Sequence, residues 1–377
     1  VRRQIVLLHR VAGLAMALFL VIAGLTGSLL VWYEEIDAAI NPGWLRVAVP
    51  ADGRPALPPL QLRAAVLEHY PQAASNYLML HGQPGRAAIF WLLAPPPAVD
   101  TVFVDPYTGA VLGARRHGAI GDGLHNLAPF IHELHQSLAL GRTGAWLTFP
   151  APARHPAQAG WRAWLRRWRP AWRVRQPAST YQRHYDLHRA GGLWPWALLF
   201  VFAWSSVAFN LPAVYQPVMD ALFARQPEPR TLAPRRAAAQ AQPGLDWPAA
   251  LARARHLMAG ESHRHGFTVI EESSLRYDPR SASFHYRVRS DLDVNEKRGN
   301  TSLVFDANDG RQLGSFRPTG AAAGDTVTSW LLTLHLAHRW GLPYRLAVTG
   351  LGLVVAMLSL TGVYLWWKKR RAREQRR

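Results

Sequence analysis

The 377-residue sequence contains no cysteine. That excludes disulfides, zinc–thiolate sites, iron–sulfur clusters and covalently tethered c-type haem, which needs a Cys-x-x-Cys-His run. Five methionines offer no copper-type cluster. Acidic residues are scarce, 24 against 43 Lys and Arg, so the net charge is +19. No G-x-G-x-x-G follows a strand and there is no P-loop, so no nucleotide or flavin domain is visible. Sixteen histidines remain as the strong nitrogen donors.

Charge is also missing locally. Residues 11–32, 190–213 and 346–367 contain none, and roughly 20 such residues span a bilayer core. An ordinary soluble globule is therefore excluded. The positive charge does not point to nucleic acid, because the arginines cluster beside the apolar stretches as cytoplasmic flanks do. The 16 Trp and 11 Tyr, many near span ends, fit interfacial belts. Arg2 and Arg3 precede the first apolar stretch, and after Val31 come Trp32, Tyr33, Glu34 and Glu35, where a cleavage site would need small residues. A retained signal-anchor helix is expected.

Basic clusters set the topology. They are Arg2 with Arg3, the run from Arg162 to Arg175, and the tail from Lys368 onward. If all are cytoplasmic, the chain crosses an even number of times between them. The return segment must then lie within 127–153, despite His132, Glu133, His135 and Arg142. An interfacial helix with three spans in all is the competing reading. The expected organisation is a helix over 1–33, an outer module over 34–126, a second helix over 127–153 and a basic cytoplasmic loop over 154–183. A third helix over 184–213, a second outer module over 214–329, a fourth helix over 330–367 and a basic tail over 368–377 complete it.

Each outer segment begins helix-like, at 60–70 and 247–259, and then alternates as strands do. The strands are expected at 76–81, 86–93 and 101–104, and at 267–275, 283–290 and 302–305. Each closes on an Asp-x-x-x-Gly turn, VDPYTGAVLG at 104–113 and FDANDGRQLG at 305–314. The membrane segments repeat too: LHRVAGL at 8–14 parallels LHRAGGL at 187–193, and HELH at 132–135 parallels HLAH at 335–338. Three matched features in one order predict an internal duplication, giving an α-helical membrane protein of four transmembrane helices with two α+β modules.

With this topology His9 and His188 lie near the cytoplasmic face, and His135 and His338 near the outer face. An imidazole at membrane depth needs a partner: a hydrogen bond, a proton path, a metal or a haem iron. Two facing histidines suit the axial positions of a haem. Gly13 and Gly192 lie one turn from His9 and His188 and leave room for a macrocycle. Arg10 and Arg189, with Arg142 and Arg345 on the outer side, are candidates to neutralise haem propionates. His132, His335 and His184 are the reserve ligands. Hydrogen-bonded packing is the competing role for any single histidine. A tetrahedral zinc site would need more ligands converging at one face.

The LHRxxGL start, the modules ending in D-x-x-x-G, HELHQSL at 132–138, YDLHRAGGLW at 185–194, AHRWGLPYRL at 337–346 and TGVYLWWKK at 361–369 resemble the PepSY-associated transmembrane proteins. The chain is most similar to the inner-membrane ferric-siderophore reductases of the FoxB type, over essentially its whole length. The resemblance implies PepSY-like periplasmic modules, two b-type haems, a bacterial inner-membrane location and reduction of iron in siderophores in the periplasm. It departs at 145–160, AWLTFPAPARHPAQAG, where family members carry a longer apolar helix.

The expected activity is a ferric-siderophore reductase, an oxidoreductase whose electrons come from a separate cytoplasmic donor or from quinol. Its partners are the ferric siderophore and membrane lipid, not nucleic acid. No protein nucleophile is required, so no catalytic acid or base is assigned. The alternative is a non-redox membrane protein whose modules bind a peptide or protein partner, as a sensor or protease regulator.

Overall fold

A computed structural model describes residues 2–93, 99–137 and 169–375. In chain order the principal elements are α1 (Arg2–Leu30), α2 (Tyr33–Ile40), α3 (Pro42–Leu45), α4 (Pro59–His69), β1 (Tyr77–Met79), β2 (Ala88–Trp91), β3 (Thr101–Val104), β4 (Val111–Arg115) and α5 (Leu127–Ser137). The second half contains α6 (Thr180–Leu193), α7 (Trp196–Asn210), α8 (Pro212–Leu222), α9 (Trp247–His265), β5 (Val269–Asp278), β6 (Ser283–Ser290), β7 (Thr301–Asp306), β8 (Gln312–Phe316), α10 (Ala323–His335) and α11 (Gly341–Glu374). They form two compact units, one of Val1–Tyr33, Ile131–Pro217 and Leu334–Arg377, the other of Glu34–Phe130 and Val218–Thr333.

The first unit is the membrane part. Val6–Leu30 of α1 and the whole of α11 are each long and apolar enough to cross a bilayer. They run antiparallel and touch through small residues. A methyl group built on Gly24 would sit 2.5 Å from the Gly352 carbonyl oxygen. Ser28 Oγ donates to Gly24 O at 3.0 Å and also approaches Thr349 O at 2.8 Å. Such small-residue faces let helix backbones approach where lipid offers no hydrophobic drive. Trp32 Nε1 donates to Thr349 Oγ1, and the Arg345 guanidinium donates to Val31 O while covering the Trp32 ring at 4.2 Å.

The apolar stretch 190–213 is not one straight helix. α6 and α7 meet at a 68° bend, at Trp194 and Pro195, because proline lacks the N–H and clashes with the preceding turn. Together they make a third candidate span. The fourth expected helix, 330–367, is also divided. α10 ends at His335, and Ala337, Trp340 and Gly341 take left-handed backbone angles (φ +54°, +58° and +56°) before α11 begins. Of the expected second helix, 127–153, α5 covers the start; the remainder lies outside the described residues. The chain is a membrane protein carrying an α+β portion.

That α+β portion is the second unit. β1, β5, β6, β7 and β8 form one antiparallel sheet in the order β1-β5-β6-β7-β8, and β2, β3 and β4 form a second. The two segments expected as separate modules share a sheet and a core. Tyr77, Leu78 and Met79 pair with Arg276, Leu275 and Ser274. Val66, Leu78, Phe90 and Val102 pack in the same cluster as Met258, Leu275, Phe284 and Phe305. Strands of three to five residues in the first segment present too little apolar area for a stable fold of their own.

Local sequence fixes the ends of the elements. Asp246 caps α9 by accepting from Ala249 N, Pro248 occupies the first turn, and Gly266 at φ +66° ends it. The two Asp-x-x-x-Gly turns agree bond for bond. Asp105 Oδ1 accepts from Tyr107 N and Asp306 Oδ1 from Asn308 N, while Gly109 and Gly310 both adopt positive φ and donate to the aspartate carbonyl.

One buried ion pair organises the first segment. Arg115 and Asp37 lie 2.8 Å apart with side chains only 3% and 4% exposed, and Asn41 Nδ2 donates to the same carboxylate. Asp37→Ala strands a buried guanidinium, so it is expected to cost about 3–5 kcal/mol. Asp37→Leu with Arg115→Met should recover most of that loss. Denaturation of the detergent-solubilised protein measures both.

Candidate functional site

The membrane unit brings four of its histidines together in two pairs. The rings of His9 on α1 and His188 on α6 have centroids 6.1 Å apart, inclined at 61°. Those of His135 on α5 and His335 at the end of α10 are 6.4 Å apart, inclined at 65°. The second pair lies against Ala23, Thr26 and Gly27 of α1. At ~1.5 Å per residue it is about 25 Å along that helix from His9, against a hydrocarbon core of about 30 Å.

The partner of His135 is His335, not His338 as the sequence spacing suggested. The repeat places both histidines of HLAH on one helix face, three residues apart. Instead α10 stops at His335, and Ala337 at φ +54° turns the chain before His338. His132, one turn before His135 on α5, is exposed. His184 lies one turn before His188, with its ring against Tyr364 at 4.4 Å.

Hydrogen bonds assign the tautomers. Ser205 Oγ lies 2.7 Å from Val201 O and 2.6 Å from His335 Nδ1; with its proton on that carbonyl it accepts the His335 Nδ1–H. Thr26 Oγ1 donates to Ile22 O, and His135 Nδ1 faces both that hydroxyl at 3.1 Å and Ala23 O at 3.0 Å. His188 Nδ1 donates to Leu358 O at 3.0 Å and also approaches Thr361 Oγ1, whose own proton goes to Met357 O. A carbonyl oxygen only accepts, so in His135 and His188 Nδ1 carries the proton and, in the neutral ring, Nε2 keeps its lone pair. These orienting hydroxyls were not singled out from sequence. Ser or Thr on an otherwise apolar helix near a membrane histidine is the signal that would have found them.

Glycines make room for the rings. A methyl group on Gly27 would lie 2.9 Å from His135 Cε1, and one on Gly362 3.1 Å from His188 Cε1. Gly13, expected to leave space beside His9, faces open space, with no described atom within 4 Å of its built methyl. Gly192 faces Leu358 Cδ2 instead, at 3.9 Å.

The four arginines proposed as propionate partners divide. Arg189 donates to Asp186 Oδ1 at 2.9 Å and to Arg173 O. Arg345 is bonded to Val31 O. Both therefore hold the protein together. Arg10 is exposed beside His9, and Arg142 lies outside the described residues.

The spacing tests what the pairs can hold. A metal bonded to two imidazole nitrogens at about 2 Å each, with each centroid a further ~1.2 Å behind its nitrogen, separates the centroids by roughly 6.4 Å. Both pairs have that separation. The ring separations thus match two imidazoles sharing one metal, and Gly13, four residues from His9, leaves open space on α1.

A family model described as PepSY-associated TM region matches residues 6–369. No curated protein matches the chain.

Ser205→Ala deletes the acceptor of His335 Nδ1–H in an apolar setting. Leaving that donor unsatisfied is expected to cost about 1–3 kcal/mol, read as a lowered melting temperature. Ser205→Thr, which restores an acceptor, should lose less.

Proposed function

The chain belongs to the PepSY-associated TM family, and on that premise we propose that it is a di-haem reductase carrying electrons across a bacterial inner membrane to ferric iron in periplasmic siderophores. The observation that carries this reading is the two histidine pairs, spaced for axial ligation and about 25 Å apart along α1. His9 and His188 would hold one b-type haem, and His135 and His335 the other. Bound haem supplies one-electron iron chemistry, which none of the twenty side chains offers. Contacts to Thr26, Ser205, Leu358 and Thr361 orient three of the four imidazoles, those of His135, His335 and His188, and leave Nε2 of each to serve as the ligand atom.

In this reading the basic ends are cytoplasmic and the α+β unit is periplasmic. The matched Asp105/Gly109 and Asp306/Gly310 turns support an internal duplication, and with it a fourth crossing that begins at α5. Reduction assists iron release because the hard oxygen donors of a siderophore hold ferric iron far better than ferrous iron.

Reduced-minus-oxidised spectra and haem stoichiometry of the purified protein test this. Two haems per chain are expected, and acid–acetone should extract all the colour because no cysteine can tether a porphyrin. His9→Ala and His188→Ala should lose the same haem, and His135→Ala and His335→Ala the other, while His338→Ala keeps both. Absence of Soret and α bands would favour a non-redox binding protein.

A further inference from the structure

A groove runs between α6 and α11 at the basic end of the membrane unit. It is an open hollow of about 560 Å³ whose lining includes His184, Leu187, Leu353, Met357, Leu360 and Tyr364. A second hollow of about 610 Å³ shares Tyr364 and adds Ser179, Thr180, Lys368 and Lys369. Read along α11, the lining passes from apolar residues through Tyr364 to lysines one turn further on. That sequence of surfaces suits a bilayer-soluble molecule with an apolar tail and a small polar head at the water boundary.

Two polar groups stand at the junction. His184 Nδ1 lies 2.7 Å from Thr180 O, which can only accept, so His184 Nε2 holds a lone pair. No hydrogen bond to that nitrogen or to the Tyr364 hydroxyl occurs among the described residues. The two ring centroids lie 4.4 Å apart, so one ring able to accept and one able to donate a hydrogen bond line the same apolar groove. His184 also lies one helical turn, about 6 Å, from His188, whose ring faces His9.

We propose that this groove is a quinol-oxidation site, with His184 Nε2 accepting the hydrogen bond of a quinol hydroxyl, Tyr364 donating to its oxygen, and Leu353, Met357 and Leu360 receiving the tail. The proposal rests on the haem reading for the fate of the electrons. Oxidation of one quinol to quinone releases two electrons and two protons. The electrons would leave one at a time through the haem that His188 would hold, each sufficient to reduce one ferric ion to ferrous, so one quinol would serve two ferric chelates. The protons leave through the polar mouth beside Ser179 and Thr180. A phospholipid, its phosphate on Lys368 and Lys369, is the other occupant such a groove admits. It has no use for a paired acceptor and donor inside the lysine rim.

Two measurements on the full-length purified protein test this. In the first, anaerobic decylubiquinol is added and haem reduction followed. Wild type should be reduced, whereas His184→Leu and Tyr364→Phe should be slower by about tenfold or more, the factor of a lost hydrogen bond. Both variants should keep two haems and full reduction by dithionite. Wild type reduced by dithionite but not by decylubiquinol, or variants as fast as wild type, would overturn the proposal. The second does not depend on haem. A photoreactive short-chain quinone should label residues 353–364, and excess decylubiquinone should abolish the label. Labelling elsewhere, or label displaced by anionic phospholipid but not by decylubiquinone, would overturn the proposal even if the protein proves to bind no haem, an outcome that would by itself remove the reductase reading.

Discussion

An imidazole inside a membrane protein must satisfy its N–H from a neighbouring element, and here that requirement ties the helices together. His135 on α5 bonds to α1, His188 on α6 bonds to α11, and His335 on α10 bonds to Ser205 on α7. Each bond joins two helices, and the carbonyl partners of His135 and His188 also set which ring nitrogen carries the proton. The contact that stabilises the bundle is therefore the one that readies Nε2 as a donor atom. The hydroxyl partners do not float: Thr26, Ser205 and Thr361 return their own protons to carbonyls of their own helices. Ring orientation is in this way referred to backbone, the most rigid feature available.

The spacing of the two pairs depends in turn on how α1 meets α11. Gly24 and Gly352 bring the backbones together, and Ser28, Trp32 and Arg345 lock the register above them. Paired residue numbers along this contact sum to nearly the same value: Gly24 with Gly352, Ser28 with Thr349, Val31 with Arg345. Carried down the antiparallel helices, that register brings Gly13 to the level of Gly362, the glycine under the His188 ring. Open space at Gly13 and the absent side chain at Gly362 thus belong to one level of the bundle. The glycines in LHRVAGL and in TGVYLWW, which no sequence repeat connects, serve the same place.

Much of this was legible in the residues. Strands at 101–104 and 283–290 were read with their ends in place, because alternation and flanking turn residues agree there. The charge-free stretch 346–367 lies within α11, and all but the last two residues of 11–32 lie within α1. What was not legible involves breaks and long-range pairing. Hydropathy does not register Pro195 inside an apolar run, yet the helix bends 68° there. The His-x-x-His spacing carries no sign that α10 stops at its first histidine, since the stop lies in the left-handed angles of Ala337 and Trp340, neither a residue that advertises one. Periodicity within one segment says nothing about β1 joining the sheet of the other.

The placement of the arginines has a consequence for charge. Arg189 adjoins His188 in sequence and was the natural counter-ion for an anionic group there. Asp186, fully buried, holds it together with Arg175, which donates to the same carboxylate at 2.8 Å. That carboxylate engages both cations, and a buried charge left without a partner is strongly destabilising. At the other end, Arg345 caps the last turn of α1 through Val31 O and covers Trp32. An anionic group seated beside either histidine pair must therefore draw its compensation from cations not engaged in the fold. Arg10, exposed one residue from His9, meets that condition at the basic end. Histidines alone do not define such a site; the division of arginines between structural and available ones decides which edge of it can face water.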